Sequence, residues 1–340
     1  MAQNIDWKLE SLPAEVDYNR PDPAKYDLTE ELSAALRVAV ALGQPLLITG
    51  KAGTGKTQLA HKAAAEFHKQ DQRFLPEPIE FHTKSTSVAR DLLYTYDAVR
   101  HFHDAGVRRE VGQSAPAPED YVSLNALGLA IVQSHPDAGR GVFQGKLLDA
   151  AARSSVVLID EIDKAPRDFP NDLLHEINRF QFRVHEVPGS APISRNTQQR
   201  IVVIITSNSD KNLPEAFLRR CVYCHIAEPD AERFRQILSI HFAGKFDGSK
   251  AAMDFLIEHF IRIRSAVTGK APATAELINW FRILELDGLI PHIQRAGKFV
   301  ALSEPHRQQL RRSLSVLVKT SEDIDAALQV IDPGHKASGK

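Results

Sequence analysis

Cysteine is scarce in this 340-residue chain, which has two, Cys221 and Cys224, in the segment RRCVYCHIAE. A lone C-x-x-C can be half a zinc site or a redox pair. No second Cys/His pair at ligand spacing follows it, and the neighbouring Val222 and Tyr223 read as strand, so two half-buried strand thiols are expected. The fourteen histidines do not supply a metal site either. They do not recur at ligand spacing with carboxylates, and His101 and His103, two apart in RHFHDA, fall on different faces of a helix. Excess charge is also lacking: 42 Lys and Arg against 43 Asp and Glu leave a net −1. No global field therefore draws nucleic acid or an anionic membrane, which makes both poor partner candidates. Long apolar runs are absent, with none near the roughly 18 residues of a spanning helix. The N-terminal MAQNIDWKLE has neither the basic start nor the apolar core of a secretory signal. Together these absences point to the cytoplasm. There is no internal repeat and no low-complexity tract.

What is present is the composition of an ordinary soluble globular protein, 43% hydrophobic and 25% charged, with length enough for two domains. Residues 1–27 are polar and proline-punctuated, an N-terminal arm. LTEELSAALRVAVAL (Leu28 to Leu42) has apolar residues at helical spacing with Thr29 as cap, and LLIT then reads as a short buried strand. A helix from Thr57 to about His68 and a strand over PIEFHT follow. VARDLLYTYDAVRHFHDAG and LNALGLAIVQ read as helical, separated by the loop GQSAPAPED. SSVVLIDE is a buried strand ending in acids, and PNDLLHEINRF is a helix opened by proline, whose missing N–H costs nothing there. FRVHEVPGSAPISRNTQQR reads as a hairpin ahead of a core strand, Ile201 to Thr206. From Asp230 the pattern is helical almost throughout, and Trp280 and Phe281 read as its core rather than as a stacking platform. Strands mixed with helices first and helices alone later predict an α/β domain over 28–229, a parallel sheet flanked by helices, and an all-α lid over 230–340.

Four motifs carry the chemistry. Gly50-Lys51-Ala52-Gly53-Thr54-Gly55-Lys56-Thr57 fits G-x-x-x-x-G-K-[ST] with a strand before it and a helix after it, the context a phosphate-binding loop requires. Glycines let the backbone curl its N–H groups inward at phosphate oxygens, and the helix N-terminus adds its dipole. Gly50, Ala52, Gly53, Thr54, Gly55, Lys56, Thr57 and Gln58 are thus the candidate ATP contacts, with Lys56 on the β- and γ-phosphates and Thr57 on Mg²⁺. In VVLIDE, Asp160 ends a buried strand where it can hold Mg²⁺ through water, and Glu161 stands beside it to polarise an attacking water, which signals hydrolysis. Asp163 and Lys164 read as surface or subunit-contact residues. In IVVIITSNSD, Asn208 follows a strand expected beside that of Asp160, so its amide could orient the water. In LPEAFLRRC, Arg219 and Arg220 either complement a helix C-terminus or reach a neighbouring subunit's γ-phosphate as arginine fingers.

These elements, in this order and with a helical C-terminal domain, resemble the AAA+ ATPases over roughly Leu28 to Leu286. Within them SNSDKNLPEAFLRR is similar to the MoxR branch, as are the hairpin ahead of the Asn208 strand and the extra helical material before VVLIDE. The chain departs from that branch in a shorter segment between Asn208 and Leu213 and in Arg219-Arg220-Cys221 where the family has Asp-Arg-Phe. By position Arg220 matches the finger and Arg219 is an additional candidate. Many such lids offer the nucleotide an arginine, whereas TGKAPATAELINW has none and only Lys270 could stand in. The resemblance implies a homo-oligomeric ring, usually a hexamer, with each ATP site completed by the next subunit. It also implies a lid rotating against the core to drive a protein client, and a partner carrying a von Willebrand factor A domain. A nucleic-acid motor or loader is the alternative. Its phosphate contacts would come from VRRE, FRQ and QQLRRSL, but these are separated by acids and read better as solvated helix faces. A small-molecule P-loop kinase would leave the helical lid without a role.

Overall fold

The computed structural model describes residues 21–143, 151–209, 213–243 and 250–333. Most of the N-terminal arm, and Asp210, Lys211 and Asn212 of the SNSDKNLPEAFLRR segment, lie outside the described residues. A 3-10 turn Pro23–Lys25 leads into α1 (Glu30–Leu42), β1 (Leu46–Thr49), α2 (Lys56–Gln70) and β2 (Ile79–His82). Next come β3 (Tyr94–Tyr96), α3 (Ala98–Glu110), β4 (Val122–Leu124), α4 (Ala126–Ser134) and α5 (Pro136–Phe143). Then follow β5 (Ser155–Asp160), α6 (Phe169–Arg179), β6 (Gln181–Phe182), β7 (Ile193–Ser194), β8 (Ile201–Ser207), α7 (Glu215–Leu218) and β9 (Val222–His225). The C-terminal helices are α8 (Ala231–His241), α9 (Lys250–Ala266), α10 (Thr274–Leu286), α11 (Ile290–Ala296), α12 (Glu304–Ser313) and α13 (Ser321–Ile331).

The main sheet has five strands in the order β2-β5-β8-β1-β9, every pair parallel. Its central strands are apolar on both faces because both faces are covered. Val157 and Ile159 of β5, Val203 and Ile205 of β8 and Leu47 of β1 pack with α4 and α6. Val156 and Leu158, Val202 and Ile204, and Leu46 and Ile48 pack on the other face against α1 and α2. Parallel strands bring all their C-terminal ends to one edge, so Gly50, Asp160, Asn208 and Ile226 emerge together. Ile159 pairs with Ile205, which sets the acids directly beside the Asn208 strand. Thr29 caps α1 as its sequence predicts, accepting from Leu32 N at 3.3 Å. Both cysteines are half-buried and unbridged: Cys224 lies within β9 as expected, while Cys221 lies just before it.

The stretch from Val88 to Gly106, expected as helix, is instead a 3-10 turn (Ala89–Leu92), β3 and then α3. Tyr94 decides this: buried and stacked 6.0 Å from Phe182, it donates its hydroxyl to Glu186 Oε2 at 2.9 Å, and extended backbone pairs it with Leu124. The expected hairpin ahead of β8 is there, with β6 and β7 each two residues long.

The C-terminal helices enclose a separate core that includes Phe234, Leu256, Phe260, Leu277, Trp280, Phe281 and Leu314. Trp280 is fully buried and donates Nε1–H to Ser313 Oγ at 2.9 Å, so its one polar atom is satisfied. Among the described residues no helix is long and apolar enough to cross a membrane.

Candidate functional site

A cleft of about 800 Å³ runs between the C-terminal edge of the sheet and the C-terminal helices. Ala52, Gly53, Thr54, Gly55, Lys56, Thr57, Gln58, Asp160, Glu161, Thr206 and Asn208 line its sheet side, so residues from the C-terminal ends of three strands converge there. At the head of the loop Gly50 has φ +150° and Gly53 φ +80°, backbone that L side chains rarely adopt. A Cβ at Gly50 would lie 2.6 Å from the Ile226 carbonyl, and one at Gly53 2.6 Å from the Ala273 Cβ. Both positions therefore exclude any side chain.

Lys56 is almost wholly buried, and its ammonium donates to Gly50 O at 2.8 Å, Lys51 O at 2.9 Å and Asn208 Oδ1 at 2.9 Å. Burial pulls its pKa below the usual lysine value, while Asp163, Asp160 and Glu161 oppose that shift. Asp160 Oδ1 accepts from Thr57 Oγ1 at 3.0 Å and from Thr206 Oγ1 at 2.6 Å. Thr206 Oγ1 in turn accepts from Glu161 N at 2.8 Å. A threonine hydroxyl and a carboxylate oxygen side by side form a hard-oxygen pair of the kind that suits Mg²⁺, which binds through few protein ligands and keeps its waters. The residues present fit that ion. Glu161 itself is in the left-handed region, φ 56° and ψ 53°, a conformation unusual for a non-glycine residue. The Thr206 hydroxyl on its N–H holds it there, and Lys164 forms an ion pair with its carboxylate.

Asp163, expected as a surface or subunit-contact residue, is half-buried and bonds to the Asn208 segment. Its Oδ1 accepts from Asn208 N at 3.0 Å and from Ser207 Oγ at 3.2 Å, and its Oδ2 lies 3.4 Å from Asn208 Nδ2. The carboxylate thus fixes the Asn208 amide so that Oδ1 faces Lys56. Asp163→Asn would replace one acceptor oxygen by a donor and turn that amide. Turnover is expected to fall about tenfold or more with KM for ATP little changed, as steady-state kinetics would show.

The remaining expected residues fall elsewhere. Arg219 and Arg220 do not line the cleft. Arg219 is tied to Glu215, both 76% exposed, whereas Arg220 is exposed and has no partner among the described residues. Lys270 is exposed and does not line the cleft. The helical side instead offers an arginine that the sequence reading missed, Arg282, through a face of α10 formed by Thr274, Ala275, Ile278, Asn279 and Arg282. That i, i+4, i+8 spacing was the available signal. Tyr26, Asp27 and Arg233 were missed as well. Tyr26 lies over Gly55, burial raises its phenol pKa, and Arg233 joins Asp27 to α8 by an ion pair.

At the other end of α8, His241 lines the cleft, and burial, reinforced by Arg282 and Lys25, pushes its pKa from 6.5 down to about 4. The unfolded chain takes up a proton at this site below 6.5, and the folded chain refuses it until about 4. This residue therefore lowers stability as pH falls through that window and contributes nothing above it. Urea midpoints should drop less between pH 7 and pH 5 for His241→Gln than for the wild type.

The chain matches the AAA domain (dynein-related subfamily) over residues 45–221, more than half its length. It belongs to that family. As a member it is an ATPase, using ATP with Mg²⁺. The likeness to solved structures is distant. A RuvB mutant of Thermotoga maritima is 15% identical, with 87% of this chain and 70% of that chain covered at a TM-score of 0.44. The FIGL-1 AAA domain in complex with ADP is 16% identical, with 94% and 88% covered at 0.40. A katanin structure solved for its self-assembly is 17% identical, with 91% and 84% covered at 0.38. No curated protein matches the chain.

Proposed function

We propose that this AAA-domain ATPase is a ring-forming, MoxR-like remodelling machine, with residues 28–229 as its nucleotide-binding domain and 230–340 as its lid. The observation that carries the proposal is the placement of Arg220: exposed, outside its own chain's cleft, and without a partner among the described residues. A guanidinium so placed is suited to the γ-phosphate of a neighbouring subunit. Arg219, held by Glu215, is the poorer finger.

In the hydrolytic step Lys56 exchanges the Gly50 and Lys51 carbonyls for β- and γ-phosphate oxygens. Thr57 and Asp160 would hold Mg²⁺, which when bound would supply positive charge to the phosphates. Glu161 accepts a proton from a water as that water's oxygen bonds to the γ-phosphorus, while Asn208 orients it. The bond to the β–γ bridging oxygen breaks, leaving ADP and phosphate. Loss of the γ-phosphate lets the lid rotate against the sheet, and the ring works on a protein client in the cytoplasm with a von Willebrand factor A partner. The similarity of SNSDKNLPEAFLRR to the MoxR branch and the near-zero net charge support a protein client over nucleic acid. Light scattering on Glu161→Gln with ATP is the test: six chains per particle are expected, and a particle that stays monomeric overturns the ring.

A further inference from the structure

The chain passes from the sheet to the C-terminal helices through Glu228-Pro229-Asp230, which follow Ile226 and Ala227 at the end of β9. Glu228 lines the cleft at this crossing and makes two ion pairs, one to the phosphate-binding loop and one to the C-terminal helices. One oxygen, Oε1, is 2.8 Å from Lys51 Nζ in the phosphate-binding loop and 2.9 Å from an Arg264 guanidinium nitrogen at the end of α9. Arg264 is not free to follow. Its side chain is 17% exposed, and its guanidinium lies 5.9 Å and 5.8 Å from the ring centroids of Phe234 and Phe260, in the core of the helical region. Lys51 is 73% exposed, and its ammonium is held by Glu228. The Lys51 hydrogen bond, with Arg264 behind it, holds the Glu228 carboxyl below the usual carboxylate range. The loop meets the helical region at a second point, where Ala273 closes on Gly53 and its N–H is held by Glu276 Oε2 at 3.0 Å.

We propose that Glu228 is a positioning residue that couples occupancy of the phosphate-binding loop to the lid, by holding Lys51 against Arg264 until nucleotide phosphates compete for Lys51. This rests on the lid motion proposed above. A triphosphate is the stronger partner for a mobile ammonium than one half-exposed carboxylate. Once Lys51 turns to it, Glu228 is left with Arg264 alone, and the link from loop to helices opens. Phosphate release restores it. The relay has a definite sign: Glu228 opposes nucleotide binding, and it does so through Lys51.

The test uses the full chain with Mg²⁺ and AMP-PNP, by calorimetry, in a cycle of Glu228→Gln, Lys51→Met and the double variant. Glu228→Gln is expected to bind AMP-PNP about two- to fivefold more tightly, the range open to one exposed ion pair. In the Lys51→Met background the gain should vanish. Glu228→Asp keeps the charge and should stay closer to wild type, which separates the effect from damage to the fold. No gain, or an equal gain in both backgrounds, overturns the proposal, the latter because plain charge repulsion would then explain it. Lid motion is read from spin labels on Gln70→Cys and Lys319→Cys, two exposed positions on either side of the cleft. The native thiols interfere little, since burial pushes Cys221 up to about 12 and raises Cys224. A wild-type label distance that changes with AMP-PNP but shrinks to a smaller change in Glu228→Gln supports the relay. A wild type that moves with Glu228→Gln moving identically overturns the relay alone. A wild type that does not move overturns the lid motion and the relay with it.

Discussion

Arg220→Ala should bind ATP as the wild type does and turn it over about 10³- to 10⁵-fold more slowly. The size follows from the chemistry. The γ-phosphoryl spreads charge over its oxygens as it transfers, and a guanidinium aimed at that charge acts in the transition state while adding little to ground-state binding. Binding is spared because Arg220 stands outside its own chain's cleft. Arg219→Ala separates the two candidates. Its guanidinium already has a carboxylate partner in Glu215 one turn away, so it should lose less than tenfold. Nucleotide binding by fluorescence and phosphate release by a coupled assay measure both quantities. Should Arg219→Ala fall as far as Arg220→Ala, or Arg220→Ala lose binding, the assignment is wrong.

Glu161→Gln should likewise keep ATP while losing about 10²- to 10⁴-fold in turnover, the range for removing a positioned general base. The amide is isosteric, so the left-handed backbone and its hydrogen bond to Thr206 Oγ1 are undisturbed. The ion pair with Lys164 is lost, so that lysine is released as the base is removed. Asp160→Asn would differ in kind, because it weakens the oxygen pair shared with Thr57 and should reduce Mg²⁺-dependent binding as well as turnover. A Glu161→Gln protein that hydrolyses ATP at the wild-type rate would place the base elsewhere.

Much of this site is legible in the residues because its chemistry is local. The phosphate-binding loop is eight consecutive residues between a strand and a helix, and Asp160 and Glu161 end an apolar run that only a covered parallel strand explains. Asn208 becomes readable once the two strands are taken as neighbours, which their pairing bears out. Contacts between segments far apart in sequence were not legible. Asp163 meets Asn208 across 45 residues, and Glu228 joins Lys51 to Arg264 over a still longer span. Arg282 was not legible because only the fold brings this face of α10, two turns past its start, over the cleft. The stretch from Val88 to Gly106 was not legible for a related reason. Tyr94 has the same local signal in a strand as in a helix, and only its burial on Phe182 and bond to Glu186 choose between them.

In the proposed ring each ATP site takes Glu161 from one chain and Arg220 from the next. The direct measurement is ATPase activity of an equimolar mixture of Arg220→Ala and Glu161→Gln, each inactive alone. In a head-to-tail ring, an Arg220→Ala chain holding ATP beside a Glu161→Gln chain forms a complete site, so random mixing should restore about a quarter of wild-type activity. A mixture as inactive as its two components, from proteins shown to co-assemble, would contradict the shared site.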